Sequence, residues 1–290
     1  MGIQLTGAAT NRVAYSVDMI DRLRLLLVAA HPDDETLGFG GVLAKYASEG
    51  IETCLLTATR GERGRYRGHA QGTAEHPGAA ELARIREREL REAAAVLGLS
   101  RVSLLEYEDQ HLDGAEPGKA IAAVADEIRR VRPHVLLTFP PDGAYGHPDH
   151  IAISQFATAA AVAAADPRFG AGHDAPHTVS KLYFLAWSEA MFAAYQRAFK
   201  KLVSTVDGVE RQATPWPEWA LTTVVDTRAS GPAVWRAVAC HASQVAAYAA
   251  LQTLAPPERD ALWGSLSFYR VYSLVNGGRR RESDLFEGLR

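Results

Sequence analysis

The sequence of 290 residues contains only two cysteines, no apolar run near the roughly 20 residues that a membrane helix needs, and little net charge of either sign. Each shortage removes a class of function. Cys54 sits in a strand-like run and Cys240 in a helix-like one, without ligand spacing, so both read as small buried hydrophobes rather than a disulfide framework. A formal net charge of -3 projects no broad field toward nucleic acid or an anionic membrane, so neither a nucleic-acid partner nor a transmembrane anchor is expected. The N-terminal stretch MGIQLTGAATNRVAYSVDMIDR lacks a basic patch followed by an apolar segment, which makes the cytoplasm the expected compartment. Assembly into a homo-oligomer stays open.

What the chain does have is alternation. Short β-rich runs at 23–30, 51–59, 101–107, 134–140 and 180–187 are separated by helical patterns near 36–49, 79–97, 117–131 and 148–165. Continuous apolar strands between helices predict a Rossmann-like, doubly wound α/β fold, a mostly parallel sheet with helices on both faces. Ligands in such sheets bind beyond the carboxyl ends of the strands. The tail adds helical patterns near 189–201 and 231–251 and strands near 219–226 and 267–275, an α/β extension over about 189–276 on the core at about 22–188. The whole chain reads as a single domain.

The first strand ends in VAAHPDDETLGFGG, which places His31, Asp33, Asp34 and Glu35 where a dinucleotide-binding protein would carry glycines. Those carboxylates would repel a phosphate at contact distance, so a cation is the logical guest. A single acid there also serves as a helix cap, and Glu35 in particular fits a capping or supporting place. The fourth run leads into FPPDGAYGHPDHIA, which supplies Tyr145, His147, Asp149 and His150. If the two strands are neighbours, their exit loops converge, and His31 and Asp34 can join His150 as three N/O ligands with one coordination position open to water, the pattern of a catalytic zinc.

The pair AHPDDE and GHPDH resembles the signatures of the LmbE-like, PIG-L type deacetylases, with weaker similarity at TRGERG, at Arg86, Glu89 and Leu90, at YEDQ (107–110) and at HASQ (241–244). The resemblance implies a metal-dependent amidase that removes an acyl group from an N-acetylglucosamine-type amino-sugar conjugate. By position, His31, Asp34 and His150 match the family's zinc ligands, Asp33 its general base, and His147 a histidine that stabilises the oxyanion or donates a proton. Tyr145 matches a tyrosine near the oxyanion, while Arg86 and Asp109 match groups that contact the sugar. Asp149 is expected to hold the His147 imidazole through its other ring nitrogen. Independently of the resemblance, a helical projection of 79–97 puts Arg86 and Glu89 inside an apolar stripe, so they must pair with each other or with groups at the strand ends.

Two histidines and one carboxylate also suit non-haem Fe(II), so Fe2+ stays a rival to zinc. A sugar-binding protein that kept the fold without catalysis, and a nucleotide-binding module, are the readings from other classes. His69, His76, His111, His134, His173 and His177 read as loop or capping residues, and His241 as either a pocket or a packing group. Trp187, Trp216 and Trp219 fit the core, a lid or a sugar face. The aglycone that the loop at 61–78 meets stays open.

Overall fold

The computed structural model describes residues 22–170, 174–199, 203–206, 208–244, 250–251, 253–278 and 280–290. Strands β1 (Arg24–Ala29), β2 (Glu52–Thr57), β3 (Arg101–Leu104), β4 (Val135–Thr138) and β5 (Lys181–Leu185) lie parallel to their neighbours. A small hairpin, β6 (Val203–Val206) with β7 (Val209–Gln212), stands apart from them. Strands β8 (Thr223–Asp226) and β9 (Ser265–Ser273) then add antiparallel to β5, giving the order β3-β2-β1-β4-β5-β9-β8. The expected doubly wound α/β fold is the one found, and the C-terminal extension continues the same sheet. Strand β1 is central, and Leu25 through Ala30 are fully buried. Each such leucine contributes about 1.5–3 kcal/mol on leaving water.

The helices follow the sequence signals closely. Helix α3 (Ala79–Leu97) buries Leu82, Leu90, Ala93 and Leu97 together with Arg86 and Glu89, as its projection requires. In α4 (Pro117–Val131), the N-cap Glu116 accepts from the backbone N–H groups of Gly118 and Lys119, with proline at the first helical position. Helix α6 (Pro148–Ala163) begins the same way, the N-cap His147 accepting through Nδ1 from the Asp149 N–H at 3.2 Å. The remaining helices are α1 (Asp34–Leu37), α2 (Gly40–Ser48), the kinked turn α5 (Gly143–Gly146), α7 (Glu189–Phe199), α8 (Gly231–Cys240) and α9 (Pro256–Trp263). Helices α2 and α3, joined by α8, pack together on one side of the sheet, and α4 packs with α6 on the other.

Three boundaries differ from the sequence pattern. The helix expected near 36–49 is broken at 38–39, because the Leu37 carbonyl that would continue its ladder accepts instead from the Tyr195 hydroxyl and Trp263 Nε1. Phe39 leaves helical angles there and sets its ring edge-on to Phe139. The pattern near 231–251 gives a helix that stops at Cys240, and residues 245–249 and 252 lie outside the described residues. Strand β3 stops at Leu104, three residues short of the apolar run.

The extension is fastened to the sheet by a buried polar knot. Glu282 accepts from Lys181 Nζ, the Tyr183 and Thr223 hydroxyls, Arg270 and Asn276. Burial penalises both charges and takes Lys181 below its ordinary pKa, whereas for Glu282 the donors outweigh burial and hold the carboxyl at about 2. A carboxyl so depressed contributes stability that is complete above its unfolded value of about 4.5 and is lost as pH falls toward 2. Glu282→Gln is expected to lower the unfolding free energy by about 3–5 kcal/mol at pH 7. In urea titrations the gap between wild type and variant should close between pH 4.5 and 2; a gap independent of pH contradicts the assignment.

Candidate active site

Chain order reverses between β1 and β4, whose sequence neighbours lie on opposite sides of the sheet. The exit loops of these adjacent strands are the two loops rich in histidine and aspartate. In the first, Asp33 adopts a left-handed conformation with φ 104°, which costs a residue other than glycine about 1–3 kcal/mol. Several contacts hold it there. Its N–H donates to Glu35 Oε2 at 2.9 Å, its carbonyl accepts from Thr36 and Leu37, and its carboxylate accepts from Arg86 Nη2 at 3.0 Å.

Asp34 Oδ2 accepts from the backbone N–H groups of Ala30 (3.1 Å) and His31 (2.8 Å). His31 Nδ1 lies 3.2 Å from His150 Nε2 and 3.9 Å from Asp34 Oδ2, and His150 Nε2 lies 3.4 Å from Asp34 Oδ1. Ligand atoms about 2.0–2.1 Å from a tetrahedral ion stand about 3.3 Å apart. On its far side His31 Nε2 meets Asp149 Oδ2 at 3.0 Å and Asp109 Oδ1 at 3.2 Å, which fixes an N–H there and leaves Nδ1 as the nitrogen that faces His150 and Asp34. Two buried imidazole nitrogens and a carboxylate converging in this way fit a divalent cation. His147 adds a third imidazole close to the same pair, and His31, Asp109 and Asp149 form an overlapping cluster of ligating atoms.

The charges follow from these contacts. Burial disfavours protonated His31, but Asp109, Asp149 and Asp34 outweigh it and raise its pKa well above the usual value. Burial would raise Asp34, yet His150 and His31 hold its carboxyl far below the ordinary range. His147 is pushed down to about 3 by burial and by the neighbouring His31 and His150, so it is neutral. Since its Nδ1 accepts from the Asp149 N–H, its proton resides on Nε2. Tyr145 sets its ring edge-on to His150 and His147 at 5.2 and 6.0 Å, and burial followed by nearby Asp34 and Asp33 keeps its hydroxyl protonated.

Asp149, Asp109 and Arg86 each have protein partners. The Asp149 carboxylate, expected on the His147 ring, accepts from His31 Nε2 and from the backbone N–H groups of Gln110 and Leu112, because the turn after β3 presents those amides to it. Asp109, expected on sugar hydroxyls, is 4% exposed, with one oxygen on His31 and the other accepting from the Arg63 N–H. Arg86, expected at the sugar or beneath it or in a buried ion pair, is also 4% exposed and donates to Asp33 and to the carbonyls of Pro32 and Gly61. Gly61 has φ 64°, and a Cβ there would lie 2.0 Å from Arg86 Nη1, so the guanidinium occupies space that only glycine leaves.

Arg86 and Glu89 take separate partners, Glu89 accepting from the Ser243 N–H and hydroxyl. His241 is fully buried and donates to Glu35. Glu62 accepts from the Asp109 N–H, a contact for which the sequence offers only the motif around it. Trp187 stacks on Tyr195 in the interior, Trp216 lies beside Tyr269, and Trp219 is 86% exposed. His76 is buried and caps the turn before α3, His134 accepts from the Arg24 N–H, and His173 lies outside the described residues.

Comparison with known proteins gives the family. Residues 26–161 match the family model described as PIG-L, GlcNAc-PI de-N-acetylase. The 1D-myo-inositol 2-acetamido-2-deoxy-alpha-D-glucopyranoside deacetylase of Streptomyces griseus is 37% identical over 92% of this chain and 89% of its own length. Among solved structures, N,N'-diacetylchitobiose deacetylase from Pyrococcus horikoshii superimposes with a TM-score of 0.62 at 20% identity, covering 87% of this chain and 85% of that one. A 4-carboxy-2-hydroxymuconate hydratase from Pseudomonas putida superimposes with 0.65 at 19% identity over 88% and 99%, so the fold by itself does not choose the reaction. With its two motifs on the adjoining exit loops and a deacetylase relative matched along nearly its whole length, the chain belongs to the PIG-L, LmbE-like family of de-N-acetylases.

Proposed function

We propose that this deacetylase hydrolyses the acetamide of an N-acetylglucosamine–inositol conjugate in the cytoplasm, releasing acetate and the free amine, with zinc held by His31, Asp34 and His150. The observation that carries the metal and its ligands is the convergence of His31 Nδ1, His150 Nε2 and the Asp34 carboxylate from two loops, with separations of 3.2, 3.4 and 3.9 Å. The substrate rests on the name of the Streptomyces griseus relative, an inositol glycoside of acetamidoglucose. A divalent ion in this place would polarise the amide carbonyl and bring the pKa of a coordinated water to about 7.

The chain's own groups account for the rest. Asp33, next in sequence to a proposed ligand, takes the proton from the attacking water and delivers it to the amide nitrogen as the C–N bond breaks and the new C–O bond is complete. Arg86, bonded to its carboxylate, keeps Asp33 aimed. The His147 Nε2–H, with the Tyr145 hydroxyl beside it, donates to the carbonyl oxygen as negative charge grows there. Asp149 and Asp109 act one step back, orienting His31 through Nε2.

Asp33→Asn should leave bound metal unchanged and lower kcat by roughly 10²–10⁴-fold. Metal analysis beside a free-amine assay checks it, and undiminished turnover would remove Asp33 from the role of base. Metal-reconstituted protein given a panel of the inositol conjugate, diacetylchitobiose and N-acetylglucosamine should release amine fastest from the first. Preference for another member overturns the substrate. Chelation should abolish release and zinc restore it under strict anaerobiosis; restoration only by Fe2+ would reassign the metal.

A further inference from the structure

The strained backbone of Asp33 is tied, through one buried carboxylate, to a residue far along the chain. Glu35 is fully buried, and its two oxygens have separate tasks. Oε2 accepts from the Asp33 N–H at 2.9 Å, and Oε1 accepts from His241 Nε2 at 2.7 Å. His241 is also fully buried and sits just past the end of α8. Its other ring nitrogen, Nδ1, has no hydrogen-bond partner among the described residues, so Glu35 is its one polar contact there. The residues that follow His241 brace the same neighbourhood. Ser243 donates to Glu89, one turn beyond Arg86 on α3, its carbonyl accepts from the Arg67 N–H, and Gln244 donates to the Arg65 carbonyl.

We infer that His241 and Glu35 form a positioning pair, which holds the Asp33 backbone in its left-handed conformation and so aims the carboxylate of the base. The claim rests on the reading of Asp33 given above. The chemistry of the pair supports it in three ways. A fully buried carboxylate needs donors on both oxygens, and this one has a backbone amide on one and an imidazole on the other. A φ of 104° at a non-glycine residue persists only when its surroundings over-determine it, and the Glu35 acceptor on the Asp33 N–H, opposed by Arg86 on the Asp33 carboxylate, supplies that from both ends of the residue. Finally, among the described residues the His241 ring hydrogen-bonds to none of the proposed metal ligands, and Glu35 is its bonded link to Asp33, whose charge it also feels directly.

Glu35→Gln keeps an acceptor for the Asp33 N–H but gives up the charge that His241 faces. His241→Ala leaves Glu35 without its imidazole donor, and His241→Gln returns an N–H at that place. In the free-amine assay, Glu35→Gln and His241→Ala are expected to lower kcat by about 10–10²-fold, the scale of a misplaced catalytic group. KM and bound metal should stay near wild type, and His241→Gln should recover much of the loss. In an Asp33→Asn background, Glu35→Gln should cause no further loss, since its effect acts through Asp33. Crystal structures of the two damaging variants should show Asp33 out of the left-handed region. If folded, metal-loaded variants keep wild-type kcat with Asp33 unmoved, or if activity falls only in proportion to lost metal, the inference is overturned. Should the wild type itself release no amine from any substrate, the deacetylase reading fails, and the backbone of Asp33 in the variant crystals still decides the positioning claim.

Discussion

Everything around the candidate site depends on one electrostatic arrangement: imidazole nitrogens and carboxylates from two loops crowded into a buried volume at the switch point of the sheet. His31, His150 and Asp34 face one another at close range, and burial makes each unmet charge or lone pair expensive. A divalent ion resolves the conflict in a single step. The sheet order makes that meeting unavoidable, because β1 and β4 are hydrogen-bonded neighbours whose chains leave on the same edge.

The rest of the architecture reads as support for that cluster. Asp149 and Asp109 secure the far side of His31, backbone amides at Gln110, Leu112 and Arg63 secure those acids in turn, and Arg86 fills the space beneath Asp33. Left-handed non-glycine residues gather here as well: Asp33, Gln110 and Ala144 all lie in loops that border the site. Local strain of this kind is tolerated where a precise geometry is being held. The C-terminal part contributes through the same logic, continuing the sheet with β8 and β9 and sending His241 and Ser243 back to the acids of α1 and α3.

Much of this was legible in the sequence because it is local. Five apolar runs and the helices between them specify a parallel sheet, and α3 and α4 begin and end where their caps and periodicity place them. The metal-competent residues were legible for a similar reason, since each motif keeps its histidine and acid close together on a loop that leaves a strand. Partner choice was not. Nothing in the motif GHPDH says that the Asp149 carboxylate turns to His31 rather than to His147, because that depends on where the turn after β3 presents its amides. Arg86 and Glu89 were readable as buried charges in an apolar stripe, yet their partners lie 53 and 154 residues away in sequence. The β6–β7 hairpin escaped because short, exposed strands carry little apolar alternation. The break after α1 escaped because Tyr195 and Trp263, which capture the Leu37 carbonyl, are remote in the chain.

The central claim is that one ion is shared by the two exit loops. Anomalous diffraction at the zinc edge, from crystals of the zinc-loaded protein, tests it directly. The account predicts a single strong peak within bonding distance of His31 Nδ1, His150 Nε2 and the Asp34 carboxylate. A peak on the opposite side of His31, at Nε2 with Asp109 and Asp149, or no peak between the loops, would contradict it.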